Sequence, residues 1–525
     1  MRSKKQEPVH WPVSALASGA LLACAFPPIR LPWLAAVGLV PLLGLLFRDE
    51  SPAAAPGFLA GLAFFLMCGH PLTSASVWGG WAEADADRVI DLLSREGWVL
   101  HGLWLFFALW CALWWAAWAV VARAGWRRGA GSGLATCAAG WIVLAEWGRA
   151  ATTFGCTWAF LGNALATNLF FRQAASLGGV WLLSLALILV NLGVAALLYC
   201  RGAKRRVGVA AVGAAAFIWV TGLASMPAED ESRPTVPVAV LHYEKPGPYS
   251  MADYLPLRLE RGYASMLHVA IEGRARLVVL PESSVFGLVM LDGAPADDLP
   301  VEHQVSVQAW DEAVHGLLAG TPTMLVVGME TAVSGRHHNS LVAWTGDGRL
   351  GVYHKRRLVP FAEYQPAAWR RLGLRGRSQY QAGDGSQLLR AGDLVLGGLL
   401  CQEVVYPALS RASVRDGATL LVSGAQDGVF IDPVVAEIES GLARLRAVET
   451  GRYLVRAVKE GISAVIDPAG RELVRSGPGT GEVLRAEVRP LRRLTPYVRF
   501  GDWVVWMSLA WLVAQAGGIR RRRRS

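Results

Sequence analysis

Leu394-Val-Leu-Gly-Gly-Leu-Leu-Cys401-Gln-Glu403 is an apolar, strand-like run that ends in a thiol, with a carboxylate two residues further on. Cys401 is the sole cysteine in the polar stretch from about 228 to 500. The other six (Cys24, Cys68, Cys111, Cys137, Cys156 and Cys200) lie in or beside the apolar N-terminal half. A lone thiol has no disulfide partner in its own domain, and in an oxidising compartment it needs a reason to persist. Without a chemical role, Cys401 reads as a buried apolar filler.

Outward from this run, the strand pattern repeats. Thr235–Tyr243, Arg276–Pro281, Met324–Thr331, Thr419–Ser423, Tyr453–Val458 and Ile462–Ile466 read as strands. Asn339–Tyr353 reads as a hairpin turning at Thr345-Gly-Asp-Gly348, and Asp467-Pro-Ala-Gly470 as a turn. Tyr254–Gly273, Val301–Leu318 and Val434–Val448 have helical periodicity. Mixed strand and helix over this length predict one α/β domain with its own core.

The rest of the chain is different. It has 525 residues, 53% of them hydrophobic, too apolar for an ordinary soluble enzyme. Apolar segments are expected at about 11–28, 32–48, 54–72, 98–122, 132–149, 177–200, 206–226 and 502–518. Each approaches the length of a bilayer-spanning helix. Gly57-x-x-x-Gly61 in the third predicts close helix approach.

Eight crossings put every basic cluster on one side: Arg2 with Lys4-Lys5, Arg48, Arg123 with Arg127-Arg128, Arg201 with Lys204-Arg205-Arg206, and Arg520–Arg524. That side is the cytoplasm by the positive-inside rule. Seven or nine crossings break the agreement. The loop at 72–97, with Glu83, Asp85, Asp87 and Asp91, then lies outside, as does the 228–500 domain with Cys401. The net charge of +10 owes much to the basic termini. Arg520–Arg524 directly follows a spanning segment, so it reads as an anchor beside anionic lipid and not as a nucleic-acid site.

Three polar residues stand where apolar strands end: Glu282 in Leu280-Pro281-Glu282-Ser283, Lys355 in Tyr353-His354-Lys355-Arg356, and Cys401. Open α/β sheets place their chemistry at such ends. A thiol nucleophile, a carboxylate that moves its proton and an ammonium for the oxyanion suit acyl transfer. Spacing alone leaves each residue a structural alternative: a helix-cap neighbour, a solvated basic run, a core filler.

These segments resemble the Glu-Lys-Cys signature of the nitrilase (carbon–nitrogen hydrolase) superfamily. With eight apolar segments and the polar domain between the seventh and eighth, the whole chain resembles the apolipoprotein N-acyltransferase family. Further local matches are Leu358-Val-Pro-Phe-Ala-Glu363-Tyr364, Cys401-x-Glu403, His338-Asn339-Ser340, Ala464-Val-Ile-Asp-Pro468 and the aromatic loop Phe154-Gly-Cys-Thr-Trp158.

The resemblance implies an α-β-β-α sandwich for the catalytic domain. It divides the chain into a seven-helix transmembrane region (1–227), an extracytoplasmic nitrilase-like domain (228–500) and an eighth helix with a basic cytoplasmic tail (501–525). It implies that Glu282 is the general base, Lys355 the oxyanion stabiliser and Cys401 the nucleophile, with Glu363 and Glu403 in support. The expected reaction takes an acyl chain from a membrane phospholipid onto Cys401. It then passes the chain to the N-terminal amine of a diacylglyceryl-cysteine apolipoprotein, without metal or cofactor. A multi-pass monomer of the inner membrane, with both termini cytoplasmic and no nucleic-acid partner, is expected. A membrane-tethered amidase or hydrolase, or an acyltransferase with another amine acceptor, is the alternative.

Apolar stretches at Val285–Met290 and Ala367–Leu374 are read as lids contacting lipid. Three positions depart from the family pattern: Gln402 replaces a tyrosine, Ala362 a glycine, and Ser423-Gly-Ala-Gln-Asp-Gly-Val-Phe430 a Ser-Asn-Asp-x-Trp-Phe segment. These bear on the acceptor and on the acyl pocket.

Overall fold

The computed structural model describes residues 11–48, 52–74, 95–152, 157–227, 234–243, 263–285, 287–293, 304–360, 362–364, 380–430, 432–477 and 481–522. Most of the acidic loop at 72–97, residues 153–156 of the aromatic loop, Phe286 and Ala367–Leu374 lie outside the described residues. The described residues form two compact units, one from 11–74, 95–225 and 500–522, the other from 226–499.

The first unit is helical: α1 (Trp11–Ala23), α2 (Val40–Arg48), α3 (Ala54–Gly69), α4 (Arg95–Arg128), α5 (Ala130–Gly140), α6 (Ala175–Tyr199), α7 (Ala203–Ala224) and a C-terminal helix, Trp503–Arg522. α5 runs on through a π-helical turn, Trp141–Gly148. Helical structure therefore occupies each of the eight expected segments. By length and composition, His101–Arg128, Phe171–Tyr199 and Ala203–Ala224 are long and apolar enough to cross a membrane. Trp11–Ala23, Pro32–Arg48, Ala54–Gly69 and Trp503–Gly517 are shorter apolar helices. α1 stops short of residue 28 because Pro27 and Pro28 cannot continue its hydrogen bonding. Gly57 and Gly61 do bring two helices together. A Cβ on Gly57 would stand 2.5 Å from Ala119 Cβ, and one on Gly61 3.0 Å from Ala112 Cα, both on α4.

The second unit holds fourteen strands among its described residues. In chain order they are β1 (Val236–His242), β2 (Leu277–Val279), β3 (Leu288–Met290), β4 (Gln304–Ser306), β5 (Met324–Val333), β6 (Arg336–Thr345) and β7 (Gly348–His354). The rest are β8 (Leu389–Ala391), β9 (Leu394–Leu400), β10 (Leu420–Gln426), β11 (Leu454–Lys459), β12 (Ala464–Ile466), β13 (Glu472–Arg475) and β14 (Glu482–Val488). One sheet runs β14-β1-β2-β5-β3-β4, with β6 on β5 and β7 on β6. The other runs β13-β12-β11-β10-β9-β8. β1, β2 and β5 are mutually parallel, as are β9, β10 and β11.

Valines and leucines on alternate positions of both sheets meet between them: Val240, Val279 and Val326 from one, Leu396, Val422 and Val455 from the other. The opposite face of the first sheet, with Ala239, Leu241 and Val278, packs on α8 (Tyr263–Glu272) and α9 (Val307–Leu318). α10 (Pro407–Arg415) and α11 (Val434–Thr450) cover the second sheet. The unit is thus an α-β-β-α sandwich. Both faces of each sheet are buried, which is why its strands read as continuous apolar runs. Each fully buried Val or Leu adds roughly 1.5–3 kcal/mol.

Two expectations need correction. Residues 304–306 are a strand, and the helix starts only at Val307. Leu288–Met290 is no lid: it is a buried strand, parallel to β5 and β4. Its three apolar side chains earn more by closing the sheet than by meeting lipid.

Candidate active site

The strand ends converge. β2 leads into Glu282, β7 into Lys355 and β9 into Cys401, and β10 ends at Gln426. β7 lies antiparallel to β6, which lies antiparallel to β5, so β7 points the same way as the parallel strands. This topology gathers residues that are far apart in sequence.

Lys355 is buried, with its Nζ 2.7 Å from Glu363 Oε1 and 3.8 Å from Glu282 Oε1. Asn339 Nδ2 donates to Glu282 Oε1 at 2.5 Å and to Glu363 Oε1 at 3.1 Å. The Gln426 amide donates to Glu282 Oε2 at 3.0 Å, and the Val359 amide to Glu363 Oε2 at 2.8 Å. The charges of Glu282 and Lys355 both act on the Cys401 thiol. Glu282, Lys355, Glu363 and Cys401 therefore form one connected group.

Cys401 has a φ of +50°, the left-handed region that non-glycine residues rarely occupy. β9 breaks there into a single 3₁₀ turn, Cys401–Val405, before Pro407 opens α10. The sharp bend turns the thiol out of the strand direction. Such a conformation persists only where its surroundings over-determine it. Here the fully buried Glu403 does so. Its carboxylate accepts from the Leu400 amide (2.8 Å), the Arg356 amide (2.8 Å), the Arg357 amide (3.0 Å) and the Tyr353 hydroxyl (2.6 Å). Glu403 thus ties the strand carrying the thiol to the strand carrying Lys355.

Close packing depends on two glycines. A Cβ on Gly328 would press on the Pro281 carbonyl and stand 2.6 Å from Glu282 Cα; one on Gly398 would stand 2.6 Å from the Tyr353 ring.

Charge in the group is set by burial. Burial pushes the Cys401 thiol well above its ordinary range, and the Glu282 charge adds to this while Lys355 opposes it. The resting sulfur is therefore a thiol and needs a base. Burial also raises Glu282, against the pull of Lys355 and the bond from Asn339. For Lys355, burial opposes the charge, but Glu363, Cys401 and Glu282 outweigh it and hold the ammonium well above its usual value. A raised carboxyl beside a protonated thiol and a fixed cation is suited to proton transfer coupled to nucleophilic attack.

Every site residue expected from the sequence lies in this group or braces it. The structure adds Asn339, Tyr353, the Gln426 amide and Glu330. Asn339 was visible only within a motif; its bridging of two carboxylates follows from β6 lying beside the Glu282 loop. Glu330, its cross-strand partner on β5, is pushed up to about 7 by burial, with the Tyr380 hydroxyl bond opposing and Glu282 and Glu363 adding. An acidic residue in a strand gives no sequence signal of this. The departure at Gly424 also has a local reading: a Cβ there would stand 3.1 Å from Leu341 Cδ2 and 3.3 Å from the Glu282 amide.

Known proteins resemble this chain over nearly all of its length. Residues 250–497 match the carbon-nitrogen hydrolase family. Residues 18–82 and 89–193 match the apolipoprotein N-acyltransferase N-terminal domain. The apolipoprotein N-acyltransferase of Gloeobacter violaceus is 30% identical over 97% of this chain and 94% of its own. That of Pseudomonas syringae pv. tomato is 28% identical over 94% of each chain. Among solved structures, an amidase from Nesterenkonia sp. aligns with 49% of this chain and 91% of its own, at 21% identity and a TM-score of 0.37. On its full-length relatives and both domain matches, the chain belongs to the apolipoprotein N-acyltransferase family.

Proposed function

We propose that this enzyme moves a fatty acyl chain from a membrane phospholipid, through a thioester on Cys401, to the N-terminal amine of a diacylglyceryl-cysteine apolipoprotein. The observation that carries the reading is buried Lys355 held between Glu282 and Glu363, with the charges of Glu282 and Lys355 acting on Cys401.

In the first half-reaction Glu282 takes the thiol proton as sulfur attacks the ester carbonyl. Lys355 faces the oxyanion that forms. The ester C–O bond then breaks, and Glu282 returns the proton to the departing lysophospholipid oxygen. In the second, the amine attacks the thioester carbonyl and gives a proton to Glu282. The C–S bond breaks, and that proton restores the thiol. An α-amine with a pKa near 8 is roughly a tenth neutral at pH 7, enough for a reactive thioester. Glu363 positions Lys355, and Glu403 braces the nucleophile's turn. Gln402, Ala362 and the 423–430 segment adjust the acyl pocket and the acceptor site.

The eight apolar segments are read as eight crossings of the inner membrane. The five basic clusters support cytoplasmic termini and a catalytic unit on the opposite side. The domain limits 1–227, 228–500 and 501–525 and a monomeric state belong to the same proposal.

The test uses the purified full chain with a phospholipid labelled in its sn-1 chain. A hydroxylamine-labile adduct is expected on the wild type and absent from Cys401→Ala; an adduct that persists in the variant refutes the mechanism. A diacylated lipopeptide should discharge the adduct and carry the label on its N-terminus. Label released only as free fatty acid would identify a hydrolase instead.

A further inference from the structure

The acyl-transfer roles leave a buried charged cluster around Arg456 unassigned. Arg456 on β11 stands in register with Ser423 on β10. Its Nη2 lies 2.9 Å from Glu439 Oε2 on α11 and 3.3 Å from Asp427 Oδ2, just after β10. Its Nη1 lies 3.5 Å from Ser423 Oγ. All three charged side chains are buried, and two carboxylates converge on one guanidinium nitrogen. With both ionised, the cluster would carry an uncompensated buried negative charge, which a protein avoids by keeping a proton there.

The cluster touches the chemistry in two ways. Asp427 directly follows Gln426, whose amide holds Glu282 Oε2 at 3.0 Å. The turn has no slack, because a Cβ on Gly461 would collide with the Asp427 carboxylate and one on Gly428 with Glu460. The charges of Glu439 and Arg456 also act on Cys401.

We propose that Arg456, gripped by Asp427 and Glu439, is a positioning residue for the acyl-transfer site, and that the two carboxylates share one proton so that the cluster presents no net charge to Cys401. This rests on the reading of Glu282 as base and Cys401 as nucleophile. The reaction develops negative charge on sulfur and then on the carbonyl oxygen. Loss of the shared proton adds a negative charge beside both and slows the step.

The charged groups acting on Asp427 are Glu439 from α11, Arg456 from β11 and Glu282 from the turn after β2; buried Lys459 of β11 stands in register with Gln426, the residue before Asp427. Lys355, Glu363 and Cys401 lie past Glu282. Burial, with Glu439 adding and Arg456 opposing, pushes the Asp427 carboxyl up to about 8. Cys401 and Lys355 are each raised well above their ordinary values, so neither titrates in that region.

The experiment measures single-turnover adduct formation from labelled phospholipid between about pH 6.5 and 9.5, with thermal unfolding at each pH. The full-length wild type is compared with Asp427→Asn and Glu439→Gln. In the wild type the rate should fall about tenfold through an alkaline limb centred near 8. Each variant should lose the limb while the apparent KM for phospholipid stays within about twofold. A limb that persists in both variants overturns the proposal. So does a variant with lower thermal stability at every pH and an unchanged profile, which marks a structural role only. If one variant does not fold, the other carries the same test. A Cys401→Ala protein that still forms the adduct would instead overturn the nucleophile reading, leaving the two failures distinct.

Discussion

Glu403→Gln tests the brace that holds the turn at Cys401. The fully buried carboxylate accepts two bonds at each oxygen: the Arg356 and Arg357 amides at Oε1, and the Leu400 amide and Tyr353 hydroxyl at Oε2. A carboxamide keeps one acceptor oxygen. If that oxygen stays with the two amides of the Lys355 strand, its NH2 meets the Leu400 N–H donor to donor. The Tyr353 hydroxyl can turn to accept, but the Leu400 amide is left buried and unpaired. An orphaned donor costs about 1–3 kcal/mol, and replacing a charged acceptor by a neutral one at the remaining bonds adds about 1 kcal/mol.

The expected loss is roughly 2–4 kcal/mol, or about 5–12 °C in melting temperature for a unit of this size. The assay is thermal unfolding in detergent, paired with the rate of Cys401 adduct formation, which should fall about tenfold as the left-handed turn loosens. Tyr353→Phe removes one bond and leaves three, so its cost should stay near 1 kcal/mol. Burial raises the Glu403 carboxyl. The folded wild type therefore gains stability as the pH falls through that raised value while Glu403→Gln does not titrate, so the gap between them should widen there. A Glu403→Gln protein within about 1 kcal/mol of wild type, with an unchanged adduct rate, would refute the bracing argument.

Three further outcomes are expected. Lys355→Met leaves Glu363 and Glu282 buried without their cation, costing about 3–5 kcal/mol by denaturant unfolding and slowing adduct formation at least about a hundredfold. Glu330 is raised to about 7 in the folded state, so the folded protein binds more protons than the unfolded one between its ordinary value and 7. Stability therefore falls as pH rises through that window, and Glu330→Gln should exceed wild type by up to about 3 kcal/mol at pH 8 while matching it at pH 4. Gly328→Ala puts a methyl against Pro281 and Glu282; about 1–3 kcal/mol of strain and a slower adduct rate at unchanged phospholipid KM should follow.

The opening run shows how far the sequence reaches. Leu394–Leu400 reads as a strand because its side chains suit a sheet buried on both faces, and β9 has that environment. The hairpin turn at Thr345–Gly348 was legible from its glycines, and β6 and β7 turn there. Glu282, Lys355 and Cys401 were legible as residue types at strand ends, sharpened by family resemblance. Leu288–Met290 was misread because three apolar residues serve a lid and a short strand equally well; only pairing with β5 and β4 decides.

By itself the sequence determined the apolar segments and the strand runs, since these follow from local composition and periodicity; Cys401 stood out as a lone thiol at a strand end, and its role as nucleophile came from the family resemblance. Tertiary structure decided everything that depends on strands distant in sequence meeting at one sheet edge. It set the Asn339 bridge, the four bonds on Glu403 and the pairing of Arg456 with Asp427 and Glu439. It also raised the thiol and its base together, because burial and neighbouring charge exist only once the chain has folded.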